Sequence, residues 1–450
     1  MKKMRYSIFS LGMVLLLAAC NGNNNTPKES SQPAGDASSE PPVNEAFTLI
    51  APENTTMVTA NVKAYVDAMR EQEESLEDPY KYDDLGGENG VNIDEGKKAD
   101  SERLYLDTGD VNGKNQTVNG QIPNRSDRNT GVELQFDVAE GHEAETYKVL
   151  VADNEDFENA KELETTGDYV NVKNLFVNTK YYWKVVTDTE ESDVATFETD
   201  NYPRWITCRA PNADDGRGIY NVRDMGGYMT KSGKRVKQGL VYRGGEITTM
   251  SSSGHYNTIT DTAKKAFRED MGMVGGVELD LRGASDIGDG YKACGFAKNG
   301  DIEYKQYAIK SYEQTFTNTR EMVAPIFEIL KEADQKPVYY HCFGGADRTG
   351  TLGFLLNGLL GVSYTDLVID FELTSYSSIN NEHIRCHIPG YQHQYDRWPA
   401  LINQLKTDTT GGYAYDENAL LMDNIYNFLN KACSVPTDTL DTIRDIMLED

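Results

Sequence analysis

The sequence predicts an α/β domain with a mostly parallel sheet flanked by helices, preceded in the chain by an all-β sandwich. Three observations carry this. Between residues 131 and 199 apolar and polar residues alternate, as in Val132, Leu134, Phe136 and Val138, then Tyr147, Val149 and Val151, then Tyr181, Trp183 and Val185. Period two with Gly, Asn and Asp clusters between the runs is the pattern of half-buried strands. Beyond Trp205 the pattern changes to strand, helix, strand, loop, helix, the order that builds a parallel sheet covered by helices. Finally, the last strand-to-helix join is HCFGGADRTG, residues 341–350, which combines a nucleophile, an arginine and several glycines.

The 450 residues suffice for two or three domains. A net charge of −28 argues against nucleic acid or an anionic membrane surface as a partner. An anionic substrate must then be drawn by a local positive site. At the N-terminus, Lys2, Lys3 and Arg5 precede an apolar run from Ile8 to Leu17, too short for an ordinary membrane span. The run ends in Leu17-Ala18-Ala19-Cys20, which resembles a bacterial lipoprotein signal. That resemblance implies a signal peptide over 1–20, lipid on Cys20, and a protein anchored outside the cytoplasm to the bacterial cell membrane. Residues 21–45, rich in Asn, Ser, Pro and Gly, read as a disordered linker. Besides Cys20 and Cys342 four cysteines remain, Cys208, Cys294, Cys386 and Cys433, and three disulfide connectivities are open to them.

Phe47–Ile50 reads as a strand, and Val62, Tyr65, Val66 and Met69 fit helical spacing. An acidic, Gly-rich stretch follows. Its Asp94, Asp107 and Asp110 do not match the regular calcium loop, so a solvated acidic surface is the expectation. Leu175 followed by Tyr181 has the spacing of a sandwich's tyrosine corner. Residues 46–200 together resemble a fibronectin type III domain with insertions.

The α/β domain is expected over 205–450. Asn221-Val222-Arg223-Asp224-Met225-Gly226-Gly227 opens it, and Leu240-Val241-Tyr242-Arg243 reads as a strand. Residues 260–273 have helical character, and Val277–Arg282 forms a strand ending in Asp-Leu-Arg. Glu321–Leu330 is a helix ahead of the apolar run Pro337–Tyr340. Leu352, Leu355, Leu356 and Leu359 mark the next helix. His383, His387, Cys386 and His393 are dense enough to raise a metal site, but no second ligand pair has structural-zinc spacing, so no metal is expected. Tyr391–Trp398 is aromatic-rich, as a cap over a site would be, and helices near 420–429 and 440–448 complete a structural layer.

The 341–350 loop suits phosphate chemistry. Backbone N–H groups of Phe343, Gly344, Gly345, Ala346, Asp347 and Arg348, at a turn and a helix start, favour an anion. Arg348 adds a planar fork for two phosphoryl oxygens. The same field lowers the pKa of Cys342 toward thiolate, the nucleophilic form. Thr349 is placed to hydrogen-bond that sulfur as it leaves. Gly345 and Gly350 permit the backbone angles of a cradle. The carboxyl end of a parallel strand is where open α/β sheets bind ligands.

This loop resembles the signature of cysteine-dependent protein tyrosine phosphatases, and most of all the bacterial family whose loop reads H-C-x-A-G-K-D-R-T-G. Gly344 stands where that pattern has Ala, and Ala346 where it has Lys. The lost lysine puts phosphoinositide activity in doubt. The N-x-R-D-x-G-G entry at Asn221, the Tyr-Arg at 242–243, Asp280-Leu281-Arg282 and Phe371-Glu372-Leu373-Thr374 follow the family's order. The resemblance implies hydrolysis of phosphotyrosine in a protein or peptide through a phosphocysteine, without cofactor, with a phosphorylated protein or a small phosphomonoester as the substrate partner. It offers two aspartates as general acid, Asp280 and Asp347, and spacing does not choose between them. The alternatives are a dual-specificity, phosphoinositide or inositol phosphate phosphatase, and a surface protein that binds phosphate without turnover.

Overall fold

The computed structural model describes residues 46–74, 76–81, 129–208, 219–247, 260–283, 286, 300–377 and 397–449. Cys20, the 21–45 linker, Asp94, Asp107, Asp110, Cys294, Cys386, and the run from His383 through Tyr391 and His393 lie outside the described residues.

The N-terminal region is rich in β structure. Strand β1 (Phe47–Ile50) pairs antiparallel with β2 (Val132–Val138), which pairs with β5 (Tyr169–Val172). A second antiparallel sheet has the order β4 (Lys161–Thr165), β3 (Tyr147–Ala152), β6 (Lys180–Val186), β7 (Ala195–Glu198). The alternation seen in the sequence is burial: Val132, Leu134 and Phe136 face inward and join Val149, Val151, Trp183 and Val185 in one apolar cluster. The Tyr181 hydroxyl accepts the Phe176 N–H at 2.9 Å.

The α/β region holds a five-stranded sheet in the order β11 (Glu303–Gln306), β10 (Val277–Asp280), β12 (Val338–His341), β9 (Val241–Gly244), β8 (Arg223–Asp224). All neighbours are parallel except β8 with β9. Every residue of β9, β10 and β12 is buried, as expected of a sheet covered on both faces. Val338 and Tyr340 point into one cluster, with helices α4 (Val323–Leu330), α5 (Asp347–Leu360) and α6 (Tyr364–Glu372). Tyr339 points to the other face, against Phe267 and Met271 beyond the short helix α2 (Asp261–Lys265). Further helices are α3 (Glu313–Asn318), α7 (Arg397–Thr407), α8 (Leu421–Asn427) and α9 (Thr437–Met447). No described helix is long and apolar enough to cross a membrane.

Helix α1 (Ala60–Glu73) lies between β1 and β2 in sequence, yet its Val62, Tyr65, Val66 and Met69 are buried in the core of the α/β region. It packs on α6. Arg70 meets Asp366 at 3.2 Å, the Ser363 hydroxyl donates to Glu73 at 2.6 Å, and the Tyr65 hydroxyl donates to Glu372 at 2.5 Å. The two regions also share Arg204, whose guanidinium donates to the carbonyls of Asn174 (2.7 Å) and Leu175 (3.0 Å) on one side and to Asp224 (2.7 Å) on the other.

Candidate active site

The register places three strand ends side by side: Asp280 opposite His341, and His341 opposite Gly244. The chain leaves β12 at His341, turns through residues 342–346, and enters α5 at Asp347. Gly345 makes the turn possible. Its φ of +68° favours glycine, and a Cβ there would come within 2.4 Å of the Gly244 backbone. Gly353 serves the next turn, where a Cβ would meet the Arg243 guanidinium at 3.1 Å.

Ala346, the residue before α5, offers no side chain to cap the helix. A fourteen-residue helix thus begins with uncapped N–H groups beside Cys342, a partial positive charge that suits an anion. Among the described residues the N–H groups of Gly344, Gly345, Ala346 and Arg348 have no partner. Cys342 itself is 4% exposed. Burial raises its pKa, but the Arg348 guanidinium and the Thr349 hydroxyl and N–H outweigh that and hold it below the ordinary thiol value. Among the described residues the buried Thr349 hydroxyl has no other hydrogen-bond partner. Cys433 shows the contrast. Burial pushes it up to about 12. Iodoacetamide at neutral pH is therefore expected to alkylate Cys342 well over about tenfold faster than Cys433. Peptide mass mapping checks this, and equal labelling would contradict the electrostatic reading.

The loop is graded in exposure. Gly344, Gly345 and Ala346 are buried, Asp347 and Arg348 are half-buried, and the Phe343 ring is 47% exposed. Arg348 reaches Asp286 at 2.6 Å, and Asp286 also accepts the Gly283 N–H at 2.9 Å. Asp347 accepts a hydrogen bond from the Tyr312 hydroxyl. Tyr312 has a φ of +53°, strained for an aromatic residue, and its N–H donates to Thr351 at 2.8 Å. The strain is held where Tyr312 orients Asp347.

Asp280 is placed otherwise. Its Oδ1 accepts the Arg282 N–H and Nε, both at 2.9 Å, and its Oδ2 accepts Arg282 Nη2 at 2.7 Å and the Tyr304 hydroxyl at 3.0 Å. Burial raises its pKa, but His341 and Arg282 outweigh burial and hold it ionised. All four acceptor positions of this carboxylate are occupied, and it has no exposure. Its partner Arg282 also reaches Glu246 at 2.6 Å, so one buried guanidinium is shared by two buried carboxylates. His341 is buried beside them. Burial lowers its pKa, but Asp280 and Glu278 outweigh that and favour the protonated ring, with Nε2 3.1 Å from Glu278 and Nδ1 3.0 Å from the Cys342 carbonyl.

Arg223 and Arg243 do not face the loop's opening; both are fully buried and pair with Asp370. Arg243 also donates to the Gly345 carbonyl at 2.8 Å. Trp398, at the end of the aromatic run, packs under α5 and α6 against Phe354 and Phe371 and donates to Tyr364 at 2.9 Å. Among the described residues no three His, Cys, Asp or Glu side chains are grouped to hold a metal ion. Asp286 and Tyr312 carry no sequence signal, since each is a single polar residue in an irregular stretch.

A sequence profile described as "Tyrosine phosphatase family" matches residues 215–449, just over half of the 450-residue chain. Among solved structures, the core catalytic domain of the PP-IP phosphatase SIW14 from S. cerevisiae, in complex with citrate, is similar at 16% identity. The similarity covers 37% of this chain and 89% of that one, with a TM-score of 0.22. No curated protein matches.

Proposed function

Since the chain belongs to the tyrosine phosphatase family and carries a cysteine-based phosphatase site, we propose that it hydrolyses phosphotyrosine, in a protein or peptide, through a phosphocysteine at Cys342. The observation that carries this reading is the buried, acidified Cys342 beside the uncapped start of α5, with Arg348 and Thr349 around it. Cys342 Sγ attacks phosphorus and the P–O bond to the phenol breaks. Arg348 and the loop N–H groups hold the three equatorial oxygens. Asp347 gives its proton to the departing phenol oxygen. In the second step Asp347 takes a proton from water, the oxygen of that water attacks phosphorus, and the S–P bond breaks. The thiolate is then received by the Thr349 hydroxyl. Asp347 takes the acid role because it is half-buried at the opening, oriented by Tyr312, while Asp280 is saturated.

The exposed Phe343 ring at the rim favours an aromatic substrate. Ala346 provides no cation, and Asp286 and Asp347 stand at the opening, which disfavours inositol phosphates and phosphoinositides. The test is phosphate release from phosphotyrosine peptide, phosphoserine peptide, a phosphoinositide and an inositol phosphate. Preference for phosphotyrosine is expected, and preference for either inositol compound overturns the assignment. Asp347→Asn is expected to lower kcat on phosphotyrosine by about 10²–10³-fold. The loss should be much smaller on an aryl phosphate whose leaving group needs no proton. Equal losses on both would remove Asp347 from the acid role.

The setting is proposed on sequence grounds: a lipid on Cys20 that anchors the protein outside the cytoplasm, and a fibronectin type III-like sandwich over the β-rich region. The shared core of its two sheets and the Tyr181–Phe176 hydrogen bond support the second reading.

A further inference from the structure

We propose that Asn221 is a positioning residue of the phosphate loop, holding its peptide planes so that their N–H groups are presented to phosphate before any substrate arrives. This rests on the phosphatase reading above. Three successive loop carbonyls are engaged by groups outside the loop. The Phe343 carbonyl accepts the Glu246 N–H at 3.0 Å. The Gly344 carbonyl accepts Asn221 Nδ2 at 3.2 Å. The Gly345 carbonyl accepts Asn221 Nδ2 at 3.1 Å and Arg243 Nη2 at 2.8 Å.

A trans peptide is planar, with its C=O and the following N–H pointing in opposite directions. Fixing these three carbonyls therefore turns the N–H groups of Gly344, Gly345 and Ala346 away from the clamp, and all three are without a partner among the described residues. Among the described residues Asn221 is the one group that holds the Gly344 carbonyl, and it shares the hold on Gly345. It is built for this. The side chain is 1% exposed, its Oδ1 accepts from Arg223, and Nδ2 lies 3.1 Å from the Thr374 hydroxyl. Its backbone sits at φ +59°, a left-handed angle that Asn adopts more readily than most residues. A buried Asn in a left-handed turn, spending its donors on the carbonyls of a distant loop, serves the loop's orientation.

Two variants isolate the side chain. Asn221→Gly suits the left-handed backbone and removes the amide. Asn221→Asp keeps the shape and removes the donors. In the full chain, inorganic phosphate should protect Cys342 from iodoacetate. In either variant we expect about tenfold more phosphate for half-protection and a kcat lower by about 10–100-fold, within the effect of losing one aligned oxyanion donor. The pH midpoint of Cys342 alkylation should rise, because fewer aligned N–H groups stabilise the thiolate. In the wild type, phosphate should slow amide exchange at Gly345 and Ala346. A folded variant with kcat and phosphate protection within twofold of wild type overturns the proposal. So does unchanged exchange at those amides while Cys342 is protected, a result that needs no variant to fold. If phosphate fails to protect wild-type Cys342 at all, the phosphatase reading itself falls.

Discussion

Cys342→Ser is expected to reduce phosphate release by about 10⁴-fold or more while leaving substrate binding near the wild-type level. Ionisation separates the two side chains. The field of Arg348, Thr349 and the α5 terminus is sufficient to acidify a thiol, but a serine hydroxyl lies far above it and stays neutral. The substitution exchanges one atom at a buried position, so the loop, its clamps and Arg348 remain in place to hold phosphate. The measurement is kcat on a phosphotyrosine peptide beside the affinity of the variant for the same peptide. Lost turnover with retained binding establishes the nucleophile. Retained turnover would remove the phosphocysteine from the mechanism. Absence of turnover in the reduced, folded wild type on every phosphomonoester would instead favour a phosphate-binding protein. Chelators are expected to have no effect, because Arg348 and the N–H groups supply the positive charge and Cys342 the nucleophile.

A chain beginning at Trp205, without the region that carries α1, is expected to yield little or no folded enzyme. Val58, Val62, Tyr65, Val66 and Met69 are all buried in the α/β core. Burying each such side chain contributes roughly 1.5–3 kcal/mol, so their sum reaches about 10 kcal/mol, the size of a domain's entire net stability. The contacts also lead to the active site. Tyr65 and Arg70 hold α6 through Glu372 and Asp366, and α6 carries Asp370, which pairs with Arg243, the arginine on the Gly345 carbonyl. Circular dichroism and kcat of the shortened chain check this. A cooperative melt with wild-type turnover would show α1 to be dispensable. Double substitution of Val62 and Val66 by Ala in the full chain is the milder test, and a fall of several degrees in Tm is expected.

Much of this was legible in the sequence where a pattern repeats. The alternation through Val132–Val138 and Lys180–Val186 is a direct image of burial. The strand, glycine loop and leucine-rich helix around Cys342 were legible because nucleophile, glycines and arginine must coincide there. The helical spacing of Val62, Tyr65, Val66 and Met69 announced α1, but a periodic pattern states that a face is apolar and not what covers it. Asp280 could not be separated from Asp347 because spacing carries no information on how many donors a carboxylate meets. Tyr312 and Asp286 act as single residues from irregular chain, without a neighbour to repeat a pattern. Asn221 stood inside a recognised motif, but the loop carbonyls it holds lie more than 120 residues away in sequence.

The path of the chain through α1 also orders events in time. Tyr65 and Glu372 are 307 residues apart. During synthesis at about 5–20 residues per second, α1 waits roughly 15 to 60 s for the helix it packs on. Through that interval its apolar stripe has no native partner, while the β-rich region that follows it has time to close its own core. Docking of α1 therefore waits for α6, whose Asp370 supports the phosphate loop through Arg243.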